Sequence, residues 1–174
     1  RHVFFVSSTS VYGQNQGQWV DENSETKPTT FNGQVLVQAE QLCWQAWPCT
    51  VLRCGGIYGN GRLRLIQWLK SRKPVQQGAW TNRVHVFDVV GILLYLFDQH
   101  QQNQNLNKIY LAVDDCPVLQ ETVLDWLAEK LNQPHLEKIS AAESNRRVSN
   151  KAIKNIGYRF LYPSYKDGYS EIIE

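Results

Sequence analysis

Val3-Phe4-Phe5-Val6-Ser7-Ser8-Thr9-Ser10-Val11-Tyr12-Gly13 is the stretch on which the fold turns. Its first four residues are β-branched or aromatic with no polar alternation, the pattern of a strand covered on both faces of a parallel sheet. Four hydroxyl side chains then gather where that strand ends. Outward from it, residues 13–30 are rich in Gly, Gln, Asn, Ser and Thr, with Pro28 near their close, which predicts a loop. The spacing of Val35, Val37, Ala39, Leu42, Cys43 and Ala46 predicts an inward-facing stripe on a helix from Gly33 to Trp47, stopped by Pro48. Thr50 to Cys54 reads as a second strand. It runs into Gly55-Gly56-Ile57-Tyr58-Gly59-Asn60-Gly61, a loop whose glycines permit close backbone approach or positive φ.

Further along, Leu63 to Ser71 predicts a short helix, Val84 to Val86 a short strand, and Asp88 to His100 an apolar helix buried on most sides. Ile109 to Val113 reads as a third strand ending in Asp114-Asp115. Pro117 suits the first turn of a helix reaching Leu131. Ser149 to Ile156 predicts a helix stopped by Gly157, and Ser164 with Asp167 predicts a capped last helix. Strands alternating with helices make an α/β layered domain, in which ligands sit outside the carboxyl ends of the strands. Here those ends are Ser7 to Ser10, Cys54 to Gly61 and Asp114-Asp115.

The chain has 174 residues, 43% of them hydrophobic, with 18 basic against 16 acidic side chains. That length can bury a core without disulfides or metals. A net charge of +2 with no basic run excludes a dedicated nucleic-acid binder, and the longest apolar stretches fall far short of a membrane span. Cys43, Cys49, Cys54 and Cys116 contain no C-x-x-C pair and the four histidines are scattered, so the cysteines read as small hydrophobes in a reducing cytoplasm and no metal site is expected. The chain has no methionine and opens at Arg1 directly into an apolar run. We therefore expect residues 1–174 to form a single unit that is part of a larger domain.

Ser7-Ser-Thr-Ser-Val-Tyr-Gly13, then Pro28 and a helix carrying Ala39-Glu40, then Leu52-Arg53 with Gly56-Ile-Tyr-Gly-Asn-Gly61, then Arg83-Val-His-Val-Phe-Asp-Val-Val90, form an ordered series. Together with the C-terminal segments Val148-Ser-Asn-Lys151 and Gly157-Tyr-Arg-Phe160, it resembles the extended short-chain dehydrogenase/reductases, the NAD-dependent epimerase/dehydratase family of nucleotide-sugar enzymes. The resemblance implies the second half of a Rossmann-like parallel sheet, followed by a small C-terminal α/β substrate-binding part. It implies NAD or NADP as cofactor and a nucleotide or nucleotide-sugar as partner, with a homodimer left open. The family's G-x-x-G-x-x-G pyrophosphate cradle is not in this chain.

The same resemblance assigns residues. The family sets a Ser/Thr at the strand end beside a Tyr and, four residues later, a Lys. Ser8 matches the first, with Thr9 its neighbour, and these are the candidate catalytic residues. Counting back from Glu40, the Tyr position falls on Asn32 and the Lys position on Leu36, neither of which can exchange a proton near neutral pH or stabilise a tyrosinate. The pattern is similar to the atypical branch of the superfamily, so a non-catalytic nucleotide-binding sensor or scaffold is the alternative to an enzyme. Candidate cofactor contacts are Ser7, Arg53, Gly55 and Gly56. Candidate substrate contacts are Asn32, Arg62, Arg83 and His85, the arginines because a guanidinium matches phosphate oxygens with two parallel hydrogen bonds. The serines can equally satisfy backbone groups at the strand end, and the glycines can equally serve turn geometry. His85 and Asp88 read as a hydrogen-bonded pair that holds the strand-to-helix turn.

Overall fold

The computed structural model describes residues 1–140 and 145–173. In chain order the elements are β1 (Val3–Ser8), a 3-10 turn (Thr9–Val11), β2 (Gln16–Val20), α1 (Phe31–Ala46), β3 (Cys49–Cys54) and β4 (Gly56–Tyr58). Then come α2 (Arg64–Lys70), β5 (Val75–Gln77), β6 (Trp80–Thr81), β7 (Arg83–His85), α3 (Val86–Gln101) and β8 (Ile109–Ala112). The chain closes with β9 (Val118–Leu119), α4 (Gln120–Lys130), β10 (Lys138–Ser140), β11 (Asn145–Val148), α5 (Lys151–Asn155) and α6 (Tyr165–Ile173).

The central sheet has the order β1-β3-β8, all parallel. Its middle strand β3 is buried at every residue, as an unalternating apolar run requires. Side chains leave it by a period of two. Leu52, Cys54, Tyr110 and Ala112 pack with Val89, Ile92 and Leu96 of α3 and Ile153 of α5 on one face. Leu111 and Val113 turn to the other, where Leu36 and Val37 of α1 cover Val11, Tyr12, Val20 and Val148. A separate core is built by α2, α4 and α6, with Leu65, Leu69, Val123, Leu127, Tyr165 and Tyr169 among its members. This is the mixed α/β architecture with a Rossmann-like parallel sheet that the sequence predicts; the second core is built jointly by the middle of the chain, Tyr58 to Val75, and by the C-terminal helices.

Several boundaries differ, each for a physical reason. Residues 13–30 are not all loop, because β2 pairs in parallel with β11 across about 130 residues of chain, as Gln16 opposite Asn145 and Val20 opposite Val148 show. The Gly55–Gly61 segment holds β4, paired with β7. Pro117 precedes β9, and the helix waits until Gln120, because Trp80 and Thr81 of β6 recruit Leu119 and Val118 first. The helix α3 is not buried on most sides. Val89, Ile92 and Leu96 face the sheet, while Phe87, Val90, Leu94 and Phe97 are each about half exposed or more. On α1, Val35 and Leu42 likewise face outward, since a three-stranded sheet covers only one side of each helix. The expected ends hold elsewhere. Gly157 sits at φ 106° just past α5, and Ser164 donates from both its backbone N–H and its Oγ to Asp167 Oδ2, at 2.9 and 2.7 Å, before α6.

Candidate functional site

The register of the central sheet puts Ser8 opposite Cys54, and Cys54 opposite Ala112, so all three strands end at one level. The next residues are sewn together across it. The amide of Gly55 donates to Ala112 O at 2.9 Å, Gly56 to Asn82 O at 2.8 Å, and Asp114 to Arg83 O at 2.6 Å. The three polar ends singled out in the sequence therefore form one surface, and β7 joins it.

Beneath Ser7 lies a buried ion pair. Arg53 of β3 is 3% exposed and Glu40 of α1 is 1% exposed. Arg53 Nε donates to Glu40 Oε1 at 3.0 Å and its Nη2 to Oε2 at 2.7 Å. Its Nη1 reaches the Tyr12 hydroxyl at 2.8 Å, Tyr12 in turn donates to Asp21 O at 2.8 Å, and Ser7 Oγ donates to Glu40 Oε1 at 2.6 Å. Two β-strands, α1 and the segment after the strand end are thus held by one carboxylate. Ser7 and Arg53, expected at a cofactor, have their polar atoms engaged inside the fold.

Ser8 and Thr9 are placed differently. Ser8 Oγ caps the 3-10 turn by accepting from Ser10 N at 3.1 Å, and its own proton has no acceptor among the described residues, so it can donate to a ligand. Both residues are half-buried. Asn32 is exposed in the first turn of α1. The helix start abuts this region so closely that a Cβ on Gly33 would lie 2.5 Å from Ser10 O, which brings Asn32 beside the strand end. Leu36, at the Lys position, packs into the apolar cluster under α1.

Gly55 is explained by the protein itself: a Cβ there would stand 2.8 Å from both Asn82 O and Val113 Cγ1. Gly56 has more room, with Asn82 O at 3.4 Å. Arg62 is exposed in the turn before α2. Arg83 is 4% exposed, with Nε and Nη2 lacking a hydrogen-bond partner among the described residues. His85 is 3% exposed. It caps α3 by accepting from Phe87 N at 3.4 Å, and its ring lies 3.9 Å from that of Tyr162. Burial pushes the imidazole down from its usual value, opposed by Asp88 and Glu171, so it is neutral at pH 7.

The expected bond between His85 and Asp88 is not formed. Asp88 instead accepts from the Tyr158 hydroxyl at 2.9 Å, Leu161 N at 2.7 Å and Tyr162 N at 2.9 Å, pinning the segment that leads to α6. Its true partners lie 70 to 74 residues on, beyond the reach of local pattern. Two further residues escaped the sequence reading. Asn82 donates to Arg146 O at 2.9 Å and accepts from Val148 N at 2.8 Å. Arg146 straps the strand end by donating to Thr9 O at 3.2 Å and Gln14 O at 2.9 Å. Only the nearness of both to quoted motifs hinted at them.

The surface offers hydrogen-bond donors and a buried cation but few groups that titrate near neutrality. Burial pushes the Cys54 thiol up to about 12, so it stays protonated. Burial also raises the Asp114 carboxyl to about 8. Among the described residues no cluster of three or more His, Cys, Asp or Glu is placed to hold a metal ion, and no helix is long and apolar enough to cross a membrane. A cavity of about 420 Å³ lined by His2, Trp47, Cys49 and Asn107 opens at the amino ends of β1 and β3, opposite the end at which such sheets bind ligands.

No family model matches the chain. Protein YeeZ of Escherichia coli K12 is 34% identical over 97 residues, which are 54% of this chain and 34% of that protein. Solved structures match nearly all of it. A Methylobacillus flagellatus protein assigned to the NAD-dependent epimerase/dehydratases is 35% identical at a TM-score of 0.89, covering 99% of this chain and 63% of that one. A conserved Silicibacter pomeroyi protein of unknown function is 32% identical at 0.83, covering 99% and 66%. The human epimerase family protein SDR39U1, solved with NADPH, is 16% identical at 0.82, a likeness of fold alone. The chain thus spans about a third of the curated relative and about two thirds of each solved neighbour.

Proposed function

Since the chain has the fold of the NAD-dependent epimerase/dehydratase proteins over 99% of its length, we propose that it is an NAD(P)-binding protein related to the enzymes that modify nucleotide-sugars. The observation that carries this reading is the likeness to the Methylobacillus protein, 35% identical at a TM-score of 0.89. Neighbours of lower identity supply the ligand class: one is solved with UDP-glucose and NAD and another, a UDP-glucuronic acid 4-epimerase, with NAD.

The residues present fit one end of such a cofactor. Ser8, with a proton to donate, and Thr9 lie at the strand end and can hold the polar edge of a nicotinamide or a substrate hydroxyl. Gly56 offers backbone at close approach, whereas Ser7, Arg53 and Gly55 are engaged by the fold and act behind that surface. A nicotinamide bound there supplies hydride transfer. Asn32 and Arg62, both exposed near the strand ends, stand on the substrate side. His85, neutral and buried behind Tyr162, acts by holding the start of α3.

A second reading has its own observation. Asn32 cannot exchange a proton and Leu36 is packed into an apolar cluster, so no Tyr/Lys pair serves as acid and base, and a nucleotide sensor or scaffold on the same fold follows. Titration calorimetry with NAD, NADP, UDP-sugars and dTDP-sugars tests the shared claim, which fails if none binds. Turnover of any of these, abolished by Ser8→Ala with binding retained, selects the enzyme. Binding without turnover selects the sensor.

A further inference from the structure

Arg53 and Arg83 are both almost wholly buried, and one of them shows what the other is built to do. In Arg53 the Nε and Nη2 edge of the guanidinium grips the two oxygens of Glu40. In Arg83 the same two nitrogens are buried with no hydrogen-bond partner among the described residues. A cation held away from water with two of its donors unused is unfavourable unless an anion answers it, and two parallel N–H groups match the two oxygens of a carboxylate.

The surroundings favour an anion as well. Asp114, 2% exposed, is tied to Arg83 by its backbone amide, and its Oδ1 accepts from Cys116 N at 3.0 Å. Among the described residues its Oδ2 has no partner and it forms no ion pair with Arg83. Tyr58 stacks on Tyr169 with ring centroids 4.6 Å apart, and the Tyr169 hydroxyl lies beside the guanidinium, which works against the rise that burial causes in it. Arg64, exposed on α2, adds a second positive charge felt by Arg83.

We propose that Arg83 anchors the carboxylate of a small molecule, its Nε and Nη2 donating to the two oxygens, with the Asp114 carboxyl beside it and Arg64 at the solvent side. Burial keeps Asp114 protonated at neutral pH, so it donates to the anion rather than repelling it. The site is independent of the nucleotide reading and is tested with no nucleotide present.

The test titrates the protein with formate, acetate and inorganic phosphate against chloride at equal ionic strength, following arginine Nε–H resonances by NMR and the melting temperature. Formate and acetate are expected to shift one Nε–H signal saturably and to raise the melting temperature. The signal should vanish in Arg83→Lys, with affinity down about tenfold or more because lysine cannot present two parallel donors. Arg64→Ala, at an exposed position, should bind roughly threefold more weakly through loss of one screened charge. If Arg83→Lys does not fold, the wild-type and Arg64→Ala titrations decide. Absence of any saturable formate or acetate effect overturns the site, and binding of phosphate with formate and acetate inert overturns the carboxylate assignment.

Discussion

Replacing Glu40 with alanine is the sharpest probe of the fold. Glu40 and Arg53 are 1% and 3% exposed, and their paired contacts are 3.0 and 2.7 Å. The substitution leaves a guanidinium inside the protein with two unanswered donors and removes the acceptor of Ser7. Breaking one partner of such a buried pair costs about 3 to 5 kcal/mol, against a total stability of roughly 5 to 15 kcal/mol for a domain. An exposed pair costs about 1 kcal/mol or less. Urea unfolding followed by tryptophan fluorescence and far-ultraviolet circular dichroism measures the loss. The penalty belongs to the stranded charge, so the double variant Glu40→Met with Arg53→Met should recover most of it. A loss below about 1 kcal/mol for Glu40→Ala, or a double variant no better than the single one, refutes the reasoning.

Other expectations follow from the same geometry. Asp88→Asn replaces an acceptor of three hydrogen bonds by a group with two donors of its own, and should cost about 2 to 4 kcal/mol, with faster proteolysis after residue 157 as the local readout. Gly55→Ala drives a Cβ to 2.8 Å from Asn82 O and Val113 Cγ1 and should cost about 1 to 3 kcal/mol, seen as a lower urea midpoint. Asp114 titrates at about 8 when folded and at its ordinary value of 3.8 when unfolded. Between those values the native state holds a proton that the unfolded state lacks, so stability is full below about pH 4 and falls by up to about 1.4 kcal/mol per pH unit as pH rises toward 8. Asp114→Asn should flatten that part of a denaturation series run from pH 4 to 8.

What the sequence made legible divides by range. The apolar residues of Val3–Ser8, Cys49–Cys54 and Ile109–Ala112 announce strands without reference to anything distant, but only Cys49–Cys54 is buried at every residue; Val3–Ser8 is mostly half-buried, with Val6 exposed. Helix α1 is announced by its Pro48 stop. The strands β2, β4, β9 and β11 are two to five residues long, too short to carry a period, and exist because partners far along the chain hold them. Val20 meets Val148, and Tyr58 meets His85.

The site divides in the same way. The gathering of Ser7 to Ser10 at a strand end is legible in the sequence, because a strand's end is a local property. What each side chain does there depends on Glu40, Asn82 and Arg146, contributed by other elements. Arg53 has the position of a ligand contact in the sequence, but Glu40 engages its guanidinium; Asp88 is close to His85 in sequence, but its carboxylate binds the segment from Tyr158 to Tyr162. Arg83 differs from both, in that the fold leaves its donor edge without an acceptor among the described residues.

A structure of the protein with bound UDP-sugar and NAD tests the central claim most directly. The account predicts the nicotinamide end against Ser8, Thr9 and Gly56, at the carboxyl ends of β1 and β3, with the sugar toward Asn32. Ligand found at the amino ends of those strands, or no ligand at saturating concentration, would contradict it.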